Sequence, residues 1–139
     1  MGVPPDPSSI DIGKTAAAIA DRMGLRVKVI GSTDLTHYGP RYGFVPKGTG
    51  PKALQWAQDS NDKEFIDLAV ELRAADLVSS AAKNGSACGP GAAAATVSAA
   101  KDLGSERGLL LAQTSSSEVM HNKMGTTSTD SVGYAAIVF

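Results

Sequence analysis

Two short, turn-rich segments hold the side chains of this chain best suited to acid–base or metal chemistry. Asp34 and His37 fall in residues 30–46, IGSTDLTHYGPRYGFVP, directly after the β-branched run RVKVIG at residues 26–31. A carboxylate three residues before a histidine can accept a hydrogen bond from one ring nitrogen. That contact fixes the tautomer and leaves the other nitrogen for a metal, a substrate or a proton. Loops at strand ends commonly carry such groups. The same D-x-x-H spacing also describes an aspartate capping a turn beside an ordinary surface histidine.

The single cysteine, Cys88, lies in SACGPG at residues 86–91, just ahead of the alanine-dominated GAAAATVSAAKDLG. The alanines predict a helix from about Gly91 to a stop at Gly104. A thiol close to a helix N-terminus sits where an anion is favoured, which suits it to be a metal ligand or a nucleophile. A lone cysteine can equally be a small buried hydrophobe. The second histidine, His121, falls in the polar stretch SSSEVMHNKMG. That stretch reads as an exposed loop in which a histidine has no ligating neighbours.

The elements that must position these groups follow from pattern. Ser8 or Ser9 can cap a helix over residues 10–23 that ends at Gly24. Residues 26–31 read as a strand stopped by Ser32, Thr33 and Asp34. Pro51 suits the first turn of a short helix with Leu54 and Trp56, and Asn61 then reads as the cap of a further helix bearing Phe65, Ile66, Leu68 and Leu72. A helix over residues 75–83 ends at Asn84 and Gly85. Strands are predicted over residues 108–114 and 132–139, separated by a Ser/Thr-rich loop. Alternating strands and helices predict an α/β fold, a mixed or mostly parallel sheet covered by helices, in one domain over residues 1–139.

Composition narrows the function classes. Thirteen basic and 14 acidic residues give a formal net charge of -1, with no basic run to track a phosphate backbone, so nucleic acid is not an expected partner. KGTGPK lacks the GK[ST] ending of a phosphate-binding loop, which argues against a nucleotide cofactor. No apolar stretch approaches the roughly 20 residues of a membrane span, and the start lacks the basic-then-apolar pattern of a signal peptide, so a cytoplasmic protein is expected. One cysteine cannot form an internal disulfide, in keeping with a reducing compartment.

Three motifs in order, STDLTHYG from Ser32, SACGPG from Ser86 and DSVGYA from Asp130, resemble those of the Memo family, whose members are similar in fold to class III extradiol dioxygenases. The resemblance implies that this chain corresponds to the C-terminal portion of a longer domain and lacks the N-terminal half, which supplies further metal-pocket histidines. It places Cys88 and His37 as metal ligands, and His37 and Asp34 as the acid–base pair. The related dioxygenases hold non-haem iron with two histidines and a carboxylate. A thiolate in place of the carboxylate softens the site toward copper or a modified iron centre. The function implied is a dioxygenase-like or metal-dependent oxidoreductase once a partner half completes the site. Two alternatives stand beside it: a module whose cleft, lined by Tyr38 and Tyr42, holds a peptide or small anion, and an inert fragment of a split or truncated gene. Three strands leave edges and apolar faces open, so a homo-oligomer or an N-terminal-half partner chain is expected.

Overall fold

The computed structural model describes residues 4–139. The expectations drawn from the first three residues lie outside that range. Helix α1 (Ser8–Arg22) is followed by an irregular segment, then strand β1 (His37–Tyr38) and a short 3-10 turn at Pro40–Tyr42. Helix α2 (Pro51–Trp56) runs through a π-helical stretch at Ala57–Asp62 directly into α3 (Lys63–Val70). Helices α4 (Ala74–Asn84) and α5 (Pro90–Asp102), strand β2 (Leu109–Ser115), helix α6 (Ser116–Met124) and strand β3 (Ser131–Val138) complete the chain.

The sheet corrects the expected parallel layer. Its order is β1-β3-β2 and both pairings are antiparallel, with His37 opposite Val132 and Leu109 opposite Val138 at the two ends. β2 returns to β3 through α6 rather than by a crossover, so the alternation of helices and strands along the sequence does not build a parallel sheet here. Residues 26–31 belong to no helix or strand and join no ladder. β-branched residues favour a pleated surface only where a neighbouring strand supplies one. The covering by helices is also partial, because Leu109, Leu110 and Leu111 of β2 remain exposed.

Three further expectations change. Asn61 does not cap a new helix; it is buried inside the continuous helical run. The Ser/Thr-rich loop is α6, begun by Ser115, whose hydroxyl accepts the Glu118 amide at 3.3 Å. This is the S-x-x-E pattern of a capping box. His121 therefore lies on a helix, exposed as expected.

Helix α5 carries the core. Ala94, Val97 and Ala99 are fully or almost fully buried, and Leu35, Phe65, Ile66 and Leu77 pack around its inner side. Helix α1 lies against another face through small residues. A side chain on Gly13 would collide with the Ala95 carbonyl, and the Ser98 hydroxyl donates to the Ile10 carbonyl at 3.1 Å. The alanine run thus works as predicted, by letting two backbones approach closely. A smaller cluster surrounds Tyr38, with Ala53, Ala57, Phe44 and Trp56. Among the described residues no helix is long and apolar enough to cross a membrane.

Candidate metal centre

The loop that carries Asp34 and His37 is pinned at the residues between them. Leu35 and Thr36 are buried, and the backbone is laced to β3 by Leu35 N–H to Gly133 O and Gly133 N–H to Thr36 O, both 3.0 Å. From the other side the π-helical stretch grips Thr36. Its amide donates to Asp62 Oδ1 at 2.9 Å, and Asn61 Nδ2 donates to Thr36 Oγ1 at 2.9 Å and to the Asn84 carbonyl at 3.1 Å. Widened helical turns of this kind recur at functional sites because they re-aim side chains that a regular helix would present elsewhere. With Leu35 and Thr36 held inward, Asp34 and His37 reach the surface side by side. Their side chains are 49% and 36% exposed.

The second loop is tied to the first by Thr33. Its hydroxyl accepts the Gly89 amide at 2.8 Å and donates to the Asp34 carbonyl at 3.0 Å, while the Cys88 amide donates to that same carbonyl at 3.2 Å. These bonds bring Cys88 Sγ to 3.8 Å from Thr33 Oγ1. Ser86, two residues earlier, is fully buried, and its hydroxyl finds no partner among the described residues.

The two loops together place one ligand atom each from Asp34, His37 and Cys88 within 4.8 Å of one another. His37 Nε2 meets Asp34 Oδ2 at 3.3 Å, so the carboxylate can orient the ring as the spacing predicted. The donor set of thiol sulfur, imidazole nitrogen and carboxylate oxygen fits a first-row transition metal. Bonds of about 2.0–2.3 Å would set ligand atoms roughly 3.5 Å apart in a tetrahedral site, so the three side chains would have to draw together by about 1 Å. All three are at least partly exposed and free to do so. Tyr42 packs beside the histidine with ring centroids 5.0 Å apart.

Several residues that matter here were given no role at the site by sequence. Thr33, Asn61 and Asp62 position the site, and the only sequence signal was a polar Asn-Asp pair where an amphipathic helix would bury apolar side chains. Burial pushes the Asp62 carboxyl up to about 6, against the opposing pull of hydrogen bonds from Thr36. Asp62 also explains a glycine of the third motif, because a side chain on Gly133 would collide with its carboxylate. In that motif Asp130 accepts the Arg41 amide at 2.8 Å and so secures the turn after His37. Tyr38, expected to line a binding cleft, is instead fully buried, its hydroxyl donating to the Gly48 carbonyl at 2.9 Å. His121 takes no part in the Asp34, His37 and Cys88 cluster.

Fold and site define an α/β chain with a small antiparallel sheet and a surface triad of metal-capable side chains held at the junction of two loops. The chain belongs to the Memo-like family: the family profile described as Memo-like protein matches residues 7–138. It is similar to a MEMO1 family protein of Methanosarcina acetivorans, 30% identical over 139 residues, which covers 99% of this chain and 45% of that one. A MEMO1 family protein of Thermococcus onnurineus is 30% identical over 141 residues, covering 100% of this chain and 46% of that one. The chain therefore spans about half the length of the relatives it matches.

Proposed function

We propose that Asp34, His37 and Cys88 are this chain's share of an open iron or copper site in a redox protein of dioxygenase-like type. The chain stands for the C-terminal portion of a longer Memo-family protein, and the remaining ligands come from polypeptide outside these 139 residues. The observation that carries this reading is the approach of the three ligand atoms to within 4.8 Å although Cys88 lies 54 positions after Asp34 in the sequence. Cys88 supplies a soft thiolate and His37 an imidazole, a pairing that suits copper or a thiolate-bound iron better than a carboxylate-rich iron centre. Asp34 holds the His37 ring and fixes which nitrogen carries the proton. If the metal leaves His37 unbound, the same pair can move a proton to or from a bound substrate. The metal would supply electron transfer and oxygen activation.

Two firm protein ligands are fewer than the three that first-row metals usually require for stable retention, so the chain alone should hold metal weakly. Anaerobic equilibrium dialysis against ferrous and cuprous ions, followed by oxygen uptake on exposure to air, tests the assignment. Binding that falls in Cys88→Ala and His37→Ala supports it. Binding unchanged in both variants overturns it.

A further inference from the structure

As a loop, the stretch around His121 offers that histidine no ligating neighbours; as helix α6 it does. Met120, His121 and Met124 fall within little more than one turn of that helix. At about 3.6 residues per turn, Met124 lies about 40° round from Met120 and His121 about 60° further on, so two thioethers and an imidazole share one sector of the surface. All three residues are exposed, Met120 by 41% and Met124 by 70%. We propose that they form a surface site for a single cuprous ion, on a different element from the Asp34, His37 and Cys88 cluster.

The geometry lets the donors meet. Side chains four residues apart on a helix have Cβ atoms about 5–6 Å from one another, and the three rotatable bonds of each methionine can bring the sulfurs together from there. No ion pair among the described residues engages His121. Glu118, the one acid of the helix, accepts the Thr114 hydroxyl at 3.0 Å, and no carboxylate groups with His121 into a metal-capable cluster among the described residues.

The donor set selects the ion. Thioether sulfur is neutral and soft, which suits Cu(I) and offers little to zinc, ferrous iron or magnesium. Lys123 lies about 60° to the other side of Met120, and its positive charge penalises a divalent ion more than a monovalent one. Met124 is the last residue of the helix before Gly125, where the partial negative charge of the carbonyl end favours a cation. An apolar partner surface covering the two methionines would have to desolvate Lys123 and His121 along with them, which argues for an ion as the occupant.

The test uses the 139-residue chain carrying Cys88→Ala, which removes the thiolate of the triad, so failure here and failure of the triad reading are separate results. Anaerobic titration with cuprous ion against a chromophoric cuprous chelator should show one ion retained per chain. Methyl NMR should show the Met120 and Met124 resonances shifting while that of Met23, 65% exposed at the end of α1, stays in place. Met120→Leu, Met124→Leu and His121→Ala should each abolish retention in this background, and leucine preserves both helix propensity and side-chain volume. Zinc should shift neither methyl. The proposal is overturned if the Cys88→Ala chain retains no cuprous ion, if retention survives either leucine variant, if Met23 shifts alongside the other two, or if zinc shifts the same methyls.

Discussion

The Thr33 hydroxyl accepts the Gly89 amide at 2.8 Å, and with the Cys88 amide on the Asp34 carbonyl at 3.2 Å this bond ties the loop of Asp34 and His37 to the loop of Cys88. The same hydroxyl donates to the Asp34 carbonyl at 3.0 Å, so its single hydrogen is already committed and the Cys88 sulfur lies beside it at 3.8 Å. The geometry of the triad thus depends on a residue that offers no ligand of its own.

Replacing that hydroxyl by a methyl in Thr33→Val keeps the shape and strands the Gly89 amide. The expected cost is about 1 kcal/mol of stability, the usual net worth of such a bond, read from the denaturant midpoint. Metal affinity should fall as the loops part, and Thr33→Ser should restore both. Unchanged affinity in Thr33→Val would show that the loops hold their places without this tie.

Asp62 makes stability depend on pH in an unusual direction. Its folded value of about 6 lies above the ordinary 3.8, so the folded chain binds a proton that the unfolded chain releases between those limits. The contribution is fully present below about pH 4 and is lost as pH rises through 6, amounting to about 3 kcal/mol. Asp62→Asn, which keeps an acceptor for the Thr36 amide, should therefore gain on the parent by about that amount from pH 4 to 7. A difference between the two proteins that stays flat over this range would contradict the buried-carboxylate account.

Gly13→Ala sets two effects against each other. Alanine gains about 1 kcal/mol in helix propensity, but its Cβ would collide with the Ala95 carbonyl, and overpacking against an unyielding partner typically costs about 1–3 kcal/mol. Because the partner is helix backbone rather than a flexible side chain, the net change should be a lower melting temperature. A higher one would mean that α1 and α5 can separate without penalty.

The side chains that cluster at the candidate site were legible because they lie in compact motifs. Asp34 and His37 are three residues apart, and Cys88 sits two residues before Pro90 opens α5, near the boundary the alanines marked. What held those motifs together was not legible. Asn61 looks like a cap because a polar residue between apolar runs usually is one, and only the distant Thr36 gives it and Asp62 a reason to be buried in mid-helix. Residues 26–31 have the local character of a strand, yet a ladder needs a neighbour, and none lies within the described chain. β1 is the opposite case. His37 and Tyr38 become strand only through pairing with Ser131 and Val132, almost a hundred residues away. Sheet direction depended on these long-range pairings, so the parallel layer inferred from element order was wrong.

The central claim is that Cys88 and His37 bind one metal ion together, with Asp34 holding the histidine. Cobalt(II) titration of the 139-residue chain tests this most directly, since a bound thiolate produces a sulfur-to-metal charge-transfer band that oxygen and nitrogen ligands do not. The account expects a weak but saturable band at one cobalt per chain, absent in Cys88→Ser and shifted to markedly higher cobalt concentration in His37→Ala and Asp34→Asn. A band that survives Cys88→Ser, or one indifferent to both His37 and Asp34, would contradict it.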